Sequence, residues 1–214
     1  MPSLSRIFLI AVFALAARAA GARTALEFFV DLPVERFNML SRTTRLDMID
    51  YFNAGLTTPS ENVFGGKSRI LAASDLSADI LVSKNSVATL AVIPNDGDTV
   101  VALIETVKTP TPDSSAGFFR ASDWSALDVE LPALADFMTP EARKAGLTAA
   151  DFPEMTFTTI EFDPADGVFT FRDRTAQHYR LPEGSRTVFK ALDYIRDSIR
   201  RQFRKGRLTK PSEK

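Results

Sequence analysis

Few side chains in this 214-residue chain are of the types that carry covalent or metal chemistry. The chain has no cysteine and one histidine, His178. A serine nucleophile needs a nearby base, and neither a G-x-S-x-G elbow nor a Ser-x-x-Lys pair occurs. Zinc sites need clustered cysteine and histidine. The sequence therefore excludes a cysteine nucleophile and any disulfide. It predicts no catalytic residue, no metal site and no cofactor, with His178 as a surface or core side chain.

Carboxylates are the remaining candidates for chemistry. Asp96 and Asp98 in the segment NDGD, and Asp163 and Asp166 in the segment DPADG, could offer oxygen ligands to calcium. Neither segment has the closing glutamate of a calcium loop, and tight turns select the same residue types. A glycosidase uses two carboxylates that can be distant in sequence, and nothing selects such a pair among the 27 acidic residues. A glycan hydrolase therefore stays an alternative to a non-enzymatic protein.

The segment Gly66-Lys67-Ser68 has the ending of a phosphate-binding loop. That loop also needs a glycine five residues before Gly66. The residue there is Glu61, whose negative charge would repel a phosphate. The double glycine Gly65-Gly66 is therefore predicted to turn the chain into a strand rather than to bind a nucleotide.

Charge is distributed unevenly along the chain. Residues 196–214 contain eight basic and two acidic side chains, whereas residues 23–195 contain 16 basic and 25 acidic ones. This asymmetry indicates an acidic body with a basic end. The candidate contact surface consists of five residues: Arg200, Arg201, Arg204, Lys205 and Arg207. Its partner would be an anionic envelope surface or the acidic face of the same protein, and the alternative is a solvated tail.

The first 22 residues have the features of a secretory signal peptide. Arg6 supplies positive charge, residues 7–17 form an uncharged apolar run too short to span a bilayer comfortably, and Ala20-Gly21-Ala22 fits a cleavage site. Cleavage after residue 19 and an uncleaved anchor are the alternatives. No other run approaches membrane-spanning length. We therefore expect a secreted or periplasmic protein without a transmembrane segment in the mature chain, and no nucleic acid as a partner.

Short helices are predicted between residues 23 and 53. The last of them is expected to start at an N-cap residue, Thr43 or Thr44, and to end before Gly55, where a left-handed conformation is favoured. Its predicted apolar stripe is formed by three residues: Leu46, Ile49 and Phe52.

From residue 67 the hydrophobic period changes from 3.6 to 2, which predicts strands. Five successive strands are expected at residues 69–74, 79–83, 87–94, 99–108 and 117–122. Tight turns at residues 84–86 and 95–98 make their neighbours antiparallel, and a longer loop is expected at residues 110–115. The third and fourth strands are apolar on both faces, so they should be central, with the N-terminal helices packed on one side.

In the second half of the chain, short helices are again predicted to precede hairpins. Short helices are expected to open at Pro132 and Thr139, followed by a hairpin within residues 155–172 and a helix at residues 182–194. A final hairpin is predicted, with strands at residues 199–204 and 207–209. The alternative is that residues 197–204 extend the helix predicted at residues 182–194. Trp124 is expected to be a core residue, and the alternative is a ligand platform.

The predicted fold class is α+β: a mainly antiparallel β-meander with short helices packed on it, and helices before hairpins in both halves. The expected divisions of the mature chain are residues 23–128 and residues 129–214, packed together as one domain. The chain length suits one large domain or two small subdomains.

Four segments of this sequence, RLDMIDYF, NVFGGKS, SDW and RQFRKGRL, carry a family resemblance. In this order, around a β-meander, they resemble the secreted Domain of Unknown Function 3256 family of Bacteroidales. The resemblance implies a signal-bearing, cell-envelope or secreted protein. It supplies no catalytic residue, so it adds nothing to the chemistry available to the residues themselves.

These observations favour a non-enzymatic, secreted or periplasmic protein that binds or scaffolds an unidentified component of the cell envelope. A pocket with two carboxylates of opposed pKa would favour the glycan hydrolase instead. A third possibility is a structural subunit of a surface assembly, which an exposed apolar edge strand would indicate.

Overall fold

The computed structural model describes residues 23–95, 97–108, 110–179 and 190–211. The described chain opens with helix α1 (Ala25–Asp31), a 3-10 turn (Val34–Arg36) and helix α2 (Arg42–Asn53). Thr24 and Glu27 form a reciprocal capping box at the start of α1, which satisfies two backbone N–H groups. The prediction of short helices that end at Asn53 is confirmed.

Helix α2 differs from the prediction at its start and on its buried face. Its N-cap is Ser41, whose Oγ accepts from the Thr44 N–H at 3.1 Å, so the predicted caps are wrong. The predicted stripe is also wrong in part, because Leu46 is 39% exposed. The fully buried residues of the helix are Arg45 and Met48. The helix is rotated from the predicted orientation because Arg45 is held inward by backbone carbonyls.

Seven strands form the first sheet in strict sequence order. Their bounds are β1 (Ser60–Glu61), β2 (Lys67–Ala73), β3 (Ser77–Ser83), β4 (Ser86–Asn95), β5 (Asp98–Val107), β6 (Asp113–Arg120) and β7 (Ala126–Leu127). Every neighbouring pair is antiparallel, which confirms the β-meander. The loop predicted at residues 110–115 is shorter than expected, because Asp113 already pairs with Val107 as β6 begins.

Strands β4 and β5 are central and are buried on both faces, as their sequence predicts. On one face, residues such as Leu90 and Leu103 pack beneath α1 and α2 in the first core. On the other face, residues such as Ile93 and Ile104 pack against the second sheet in the second core. Trp124 lies at the edge of the first core, where its ring makes an edge contact with Phe28 at 6.1 Å between centroids.

The second sheet has four antiparallel strands in the order β11-β10-β9-β8. Their bounds are β8 (Thr158–Asp163), β9 (Val168–Asp173), β10 (Ser198–Arg204) and β11 (Arg207–Thr209). The final hairpin is therefore confirmed and the helix extension is wrong. Lys205 and Gly206 both have positive φ, 48° and 80°, which makes this a two-residue type I′ turn.

Short helical elements connect and flank the two sheets. They are α3 (Leu134–Phe137), α4 (Pro140–Lys144), α5 (Thr175–Tyr179) and two 3-10 turns (Ala149–Asp151 and Lys190–Tyr194). Most of the helix predicted at residues 182–194 lies outside the described residues. No described helix has the length and apolar character needed to cross a membrane. Two antiparallel sheets with short helices confirm the α+β fold class.

Candidate functional site

The five basic residues predicted as a contact surface are divided between two faces of the second sheet. Alternation along β10 places Ile199, Arg201 and Phe203 on the face that packs against the first sheet, and Arg200 and Arg204 on the opposite face. Arg207 lies across from Arg204 and shares its outer face, and Lys205 lies in the turn. Arg201 therefore lies on the inner face of the sheet, apart from the other four residues, and the contact with an anionic surface stays a prediction.

The outer face has basic side chains that acidic neighbours balance unevenly. Arg172 pairs with Glu161 at 3.1 Å, which raises the pKa of the arginine, and Arg200 lies 3.8 Å from Asp166. In contrast, Arg204, Lys205 and Arg207 form no ion pair with any residue that the structure describes. All three are exposed at the tip of the hairpin. We call these three residues the basic tip.

Arg201 is held in place on the inner face. Its side chain is 15% exposed, and its Nη2 lies 3.4 Å from Asp136 Oδ1. The other carboxylate oxygen of Asp136 accepts from the Ala133 N–H at 3.0 Å, at the start of α3. Asp136 therefore anchors a helix start with one oxygen and orients the arginine with the other.

A cleft of about 590 Å³ opens beside Arg201, within the size range of ligand sites. We call it the edge cleft, because β11 and the chain beyond β7 both line it. One wall has Asp128, Glu130, Leu131, Pro132 and Asp136, and the other has Arg201, Gly206, Arg207 and Leu208. The cleft thus carries both signs of charge. Sequence reasoning did not identify its acidic wall, although the alternating pattern of Asp128-Val129-Glu130-Leu131 was a usable signal.

The carboxyl groups whose pKa is shifted lie outside the edge cleft. Among the described residues, the one carboxyl whose pKa is raised is Glu105, through desolvation by its surroundings, and it does not line the cleft. Carboxyls with lowered pKa, such as Asp123 and Asp151, accept hydrogen bonds from turn or helix-start N–H groups. Neither of these two aspartates lines the edge cleft.

The single histidine joins two elements by packing. His178 Nδ1 lies 2.8 Å from Thr111 Oγ1, and its ring contacts Phe157 with 4.3 Å between centroids. Helix α5 is thereby attached to the loop before β6. This arrangement agrees with the expected role of His178 as a packing residue.

The aspartates considered as calcium ligands serve in turns and loops. Asp98 Oδ2 accepts from Ser122 at 2.9 Å, and Asp163 Oδ1 accepts from the Ala165 N–H at 2.9 Å. Asp96 lies outside the described residues. Within the described ranges, no group of three or more acidic or histidine side chains is placed to hold a metal ion.

The segment with the ending of a phosphate-binding loop is the turn between β1 and β2. Asn62 Oδ1 accepts from the Gly66 N–H at 2.9 Å, and Asn62 Nδ2 donates to Val82 O at 2.9 Å. A Cβ on Gly66 would lie 2.7 Å from Asn62 Nδ2, so a side chain there would displace Asn62. Gly66 is therefore needed for this asparagine-centred turn.

The described structure thus defines an α+β protein with two stacked antiparallel sheets, an exposed basic tip and a mixed-charge edge cleft. The chain belongs to the family described as Protein of unknown function (DUF3256), whose model matches residues 17–192. This match confirms the resemblance noted in the sequence.

Among solved structures, the fold is similar to a domain of an uncharacterized protein from Porphyromonas gingivalis W83. The TM-score is 0.64 and the sequence identity 18%, over 87% of this chain and 98% of that chain. At this identity the similarity concerns the fold alone. No curated protein matches the chain significantly.

Proposed function

We propose that this protein is exported to the periplasm or the cell exterior and acts there as a non-enzymatic binding or scaffold protein of the cell envelope. The basic tip, together with Arg200, would contact an anionic envelope component. The proposal rests on the clustering of Arg204, Lys205 and Arg207 at the tip of one hairpin, which has a two-residue turn. The signal-like residues 1–22 supply the argument for export.

The basic tip has an unfavourable charge arrangement for folding. Arg204 and Arg207 are direct cross-strand partners, and Lys205 lies in the turn between them. Like charges placed opposite each other in a sheet destabilise the pair by a few tenths of a kcal/mol. No described carboxylate forms an ion pair with any of the three side chains. An anionic partner would neutralise all three charges at once. The arrangement is therefore better suited to binding such a partner than to stabilising the hairpin.

Two of the side chains that could take part in chemistry make structural contacts instead. His178 packs between α5 and a loop, and Asp136 connects Arg201 to the start of α3. These contacts support a binding role, and no observation favours the glycan hydrolase. Three of the four edge strands, β1, β7 and β11, are two or three residues long. The fourth, β8, has six residues, and its Thr158 and Ile160 N–H groups donate to side chains of β6. These edges do not support the alternative of a structural subunit that assembles through a long apolar edge.

The test is retention of the protein on isolated envelope fractions at low ionic strength. Replacing Arg204, Lys205 and Arg207 together by glutamate should reduce the retained fraction at least fivefold, because attraction to an anionic surface becomes repulsion. Retention of the wild-type protein should also fall as salt rises toward the range where the Debye length is about 8 Å.

The matched control carries the same charge change elsewhere on the surface. Lys84, Lys108 and Arg143 are exposed and lie outside the second sheet. Their joint replacement by glutamate should leave at least half of the retention. Equal retention of wild type and the basic-tip variant would exclude the proposed contact. Recovery of the chain in the cytosol with residues 1–22 uncleaved would exclude the proposed export.

A further inference from the structure

Beyond β7 the chain keeps the side-chain alternation of a strand but has no partner strand. Leu127, Val129 and Leu131 are partly buried against the second core, whereas Asp128 and Glu130 are exposed. Strand β7 pairs with β6 at residues 126 and 127 and no further. In the described ranges, no hydrogen bond involves the backbone groups of residues 128–132. This stretch therefore offers backbone donors and acceptors to another chain.

Strand β11 offers a second set of free backbone groups at the edge of the other sheet. In a two-residue hairpin the residues next to the turn, Arg204 and Arg207, form a hydrogen-bonded pair, so the following pair, Phe203 and Leu208, is not hydrogen-bonded. The N–H and C=O of Leu208 consequently point away from β10. Strand β11 is the last strand of its sheet, so these groups lie at its open edge.

Both free segments line the edge cleft. Leu131 and Pro132 form part of one wall, and Leu208 forms part of the other. An extended polypeptide presents N–H and C=O groups alternately on its two sides, which matches such edges, and addition of a strand to an exposed sheet edge is a common mode of peptide recognition. A small anion has no such repeating pattern, and the hydroxyl groups of a glycan do not follow the spacing of backbone groups along a strand edge.

The charges of the edge cleft indicate which side chains a bound segment would carry. Arg201 and Asp136 pair with each other, and Arg207 places a second positive charge on the wall formed by β11. Asp128 and Glu130 have no ion pair with any residue that the structure describes, and both face the cleft. A lysine or arginine of a bound segment would therefore be attracted to this acidic wall and repelled by Arg207 on the opposite wall.

We propose that the edge cleft binds an extended segment of a partner polypeptide. Its backbone pairs with Leu208 and with residues 128–131, and a basic side chain of the segment lies against Asp128 and Glu130. This goes beyond the proposed envelope contact and does not depend on it, because the basic tip acts through surface charge whereas the cleft acts through backbone pairing. The test below leaves the basic tip unchanged, so a negative result for the edge cleft does not contradict the proposed envelope contact.

The probe is a phage-displayed library of random decapeptides, selected on the purified protein. Selected sequences should share an alternating apolar pattern with at least one lysine or arginine. Amide hydrogen exchange then locates the bound peptide. The amides of Leu208 and of residues 128–131 should exchange at least tenfold more slowly with the peptide, and those of β1, a distant sheet edge, should be unchanged.

Two variants separate backbone pairing from charge attraction. Leu208→Pro removes an N–H that faces the open edge and no hydrogen bond of the β10–β11 ladder, so it should abolish binding with the fold retained by circular dichroism. If that variant unfolds, the same peptide with its backbone N-methylated at alternate positions replaces it, and only one of the two methylation registers should still bind. The double variant Asp128→Lys and Glu130→Lys should weaken binding at least tenfold, whereas Asp47→Lys with Asp50→Lys, exposed on α2, should not.

Several results would overturn the inference. One is a library that yields no peptide above background. A second is that the selected peptides slow the exchange of amides elsewhere in the protein. A third is that the peptide binds with unchanged affinity when it is N-methylated in either register. A dimer of the free protein in which the amides of Leu208 and residues 128–131 are already protected would identify a second copy of this chain as the occupant instead.

Discussion

At the residue scale, Arg45 is the side chain that holds the N-terminal helices together. Its guanidinium is fully buried and donates to four backbone carbonyls, those of Phe29, Leu32, Phe37 and Leu40. The Phe29 carbonyl lacks a helical partner because the residue four positions later is Pro33, which has no N–H. Burial lowers the pKa of Arg45 to about 10. The four carbonyl dipoles favour the charged form, so the side chain is charged at neutral pH.

We expect Arg45→Met to destabilise the protein by about 3 kcal/mol, because it leaves several buried carbonyls without a donor. Arg45→Lys should recover little of this loss, since an ammonium cannot reach four separated carbonyls as the planar guanidinium does. Urea unfolding measures both values.

The control for Arg45 is Arg42→Met on the same helix. Arg42 is exposed and lies 3.9 Å from Asp31, so its loss should change stability by no more than about 0.5 kcal/mol. A similar stability for the Arg45 and Arg42 variants would contradict the assigned role of Arg45.

At the element scale, the hairpin of β10 and β11 contributes to three parts of the structure with the twelve residues 198–209. Its inner side chains close the second core, where Phe203 stacks on Phe118 with 5.5 Å between ring centroids. Its outer side chains form the basic tip, and its open edge lines the edge cleft. One strand pair can do this because alternate residues face opposite sides and every other backbone pair points outward.

Reversing one charge of the basic tip should stabilise the hairpin. Arg207→Glu turns the repulsion between Arg204 and residue 207 into attraction, so thermal unfolding should shift upward by an amount that corresponds to a few tenths of a kcal/mol. Arg207→Gln removes the repulsion without adding attraction. Its thermal unfolding temperature should therefore lie between those of the wild type and Arg207→Glu. A less stable Arg207→Glu protein would show that like-charge repulsion is not a cost in this hairpin.

At the scale of the whole molecule, the first sheet is shared by two cores. Leu90 and Leu103 face the N-terminal helices, while Ile93 and Ile104, on the same two strands, face the second sheet. Additional links join the sheets at their edges, since the N–H groups of Thr158 and Ile160 donate to side chains of β6. This sharing is the physical reason to expect that residues 23–128 and 129–214 unfold together.

The coupling can be tested with Phe169→Ala, which creates a cavity in the second core and should cost about 3 to 5 kcal/mol. Trp124 reports on the first core through its contact with Phe28. In a single cooperative unit, tryptophan fluorescence and circular dichroism of the variant should shift together to lower denaturant. A fluorescence transition that stays at its wild-type position would show that the two halves unfold independently.

Local patterns in the sequence determined most of the elements. The change of period at residue 67, the turn residues between strands and the doubly apolar strands β4 and β5 led to the correct meander and to its two packed faces. The final hairpin was also predictable, because a glycine in a two-residue turn is a local requirement. Such features depend on neighbours in the chain, which the sequence displays directly.

The tertiary structure alone decided which residues meet across distance. The rotation of α2 follows from carbonyls up to 16 residues from Arg45, and the split of the five basic residues follows from the face of β10 that the first sheet covers. The edge cleft joins residues 128–136 with residues 201–208. These outcomes depend on packing between elements far apart in the chain, and no local pattern records that packing.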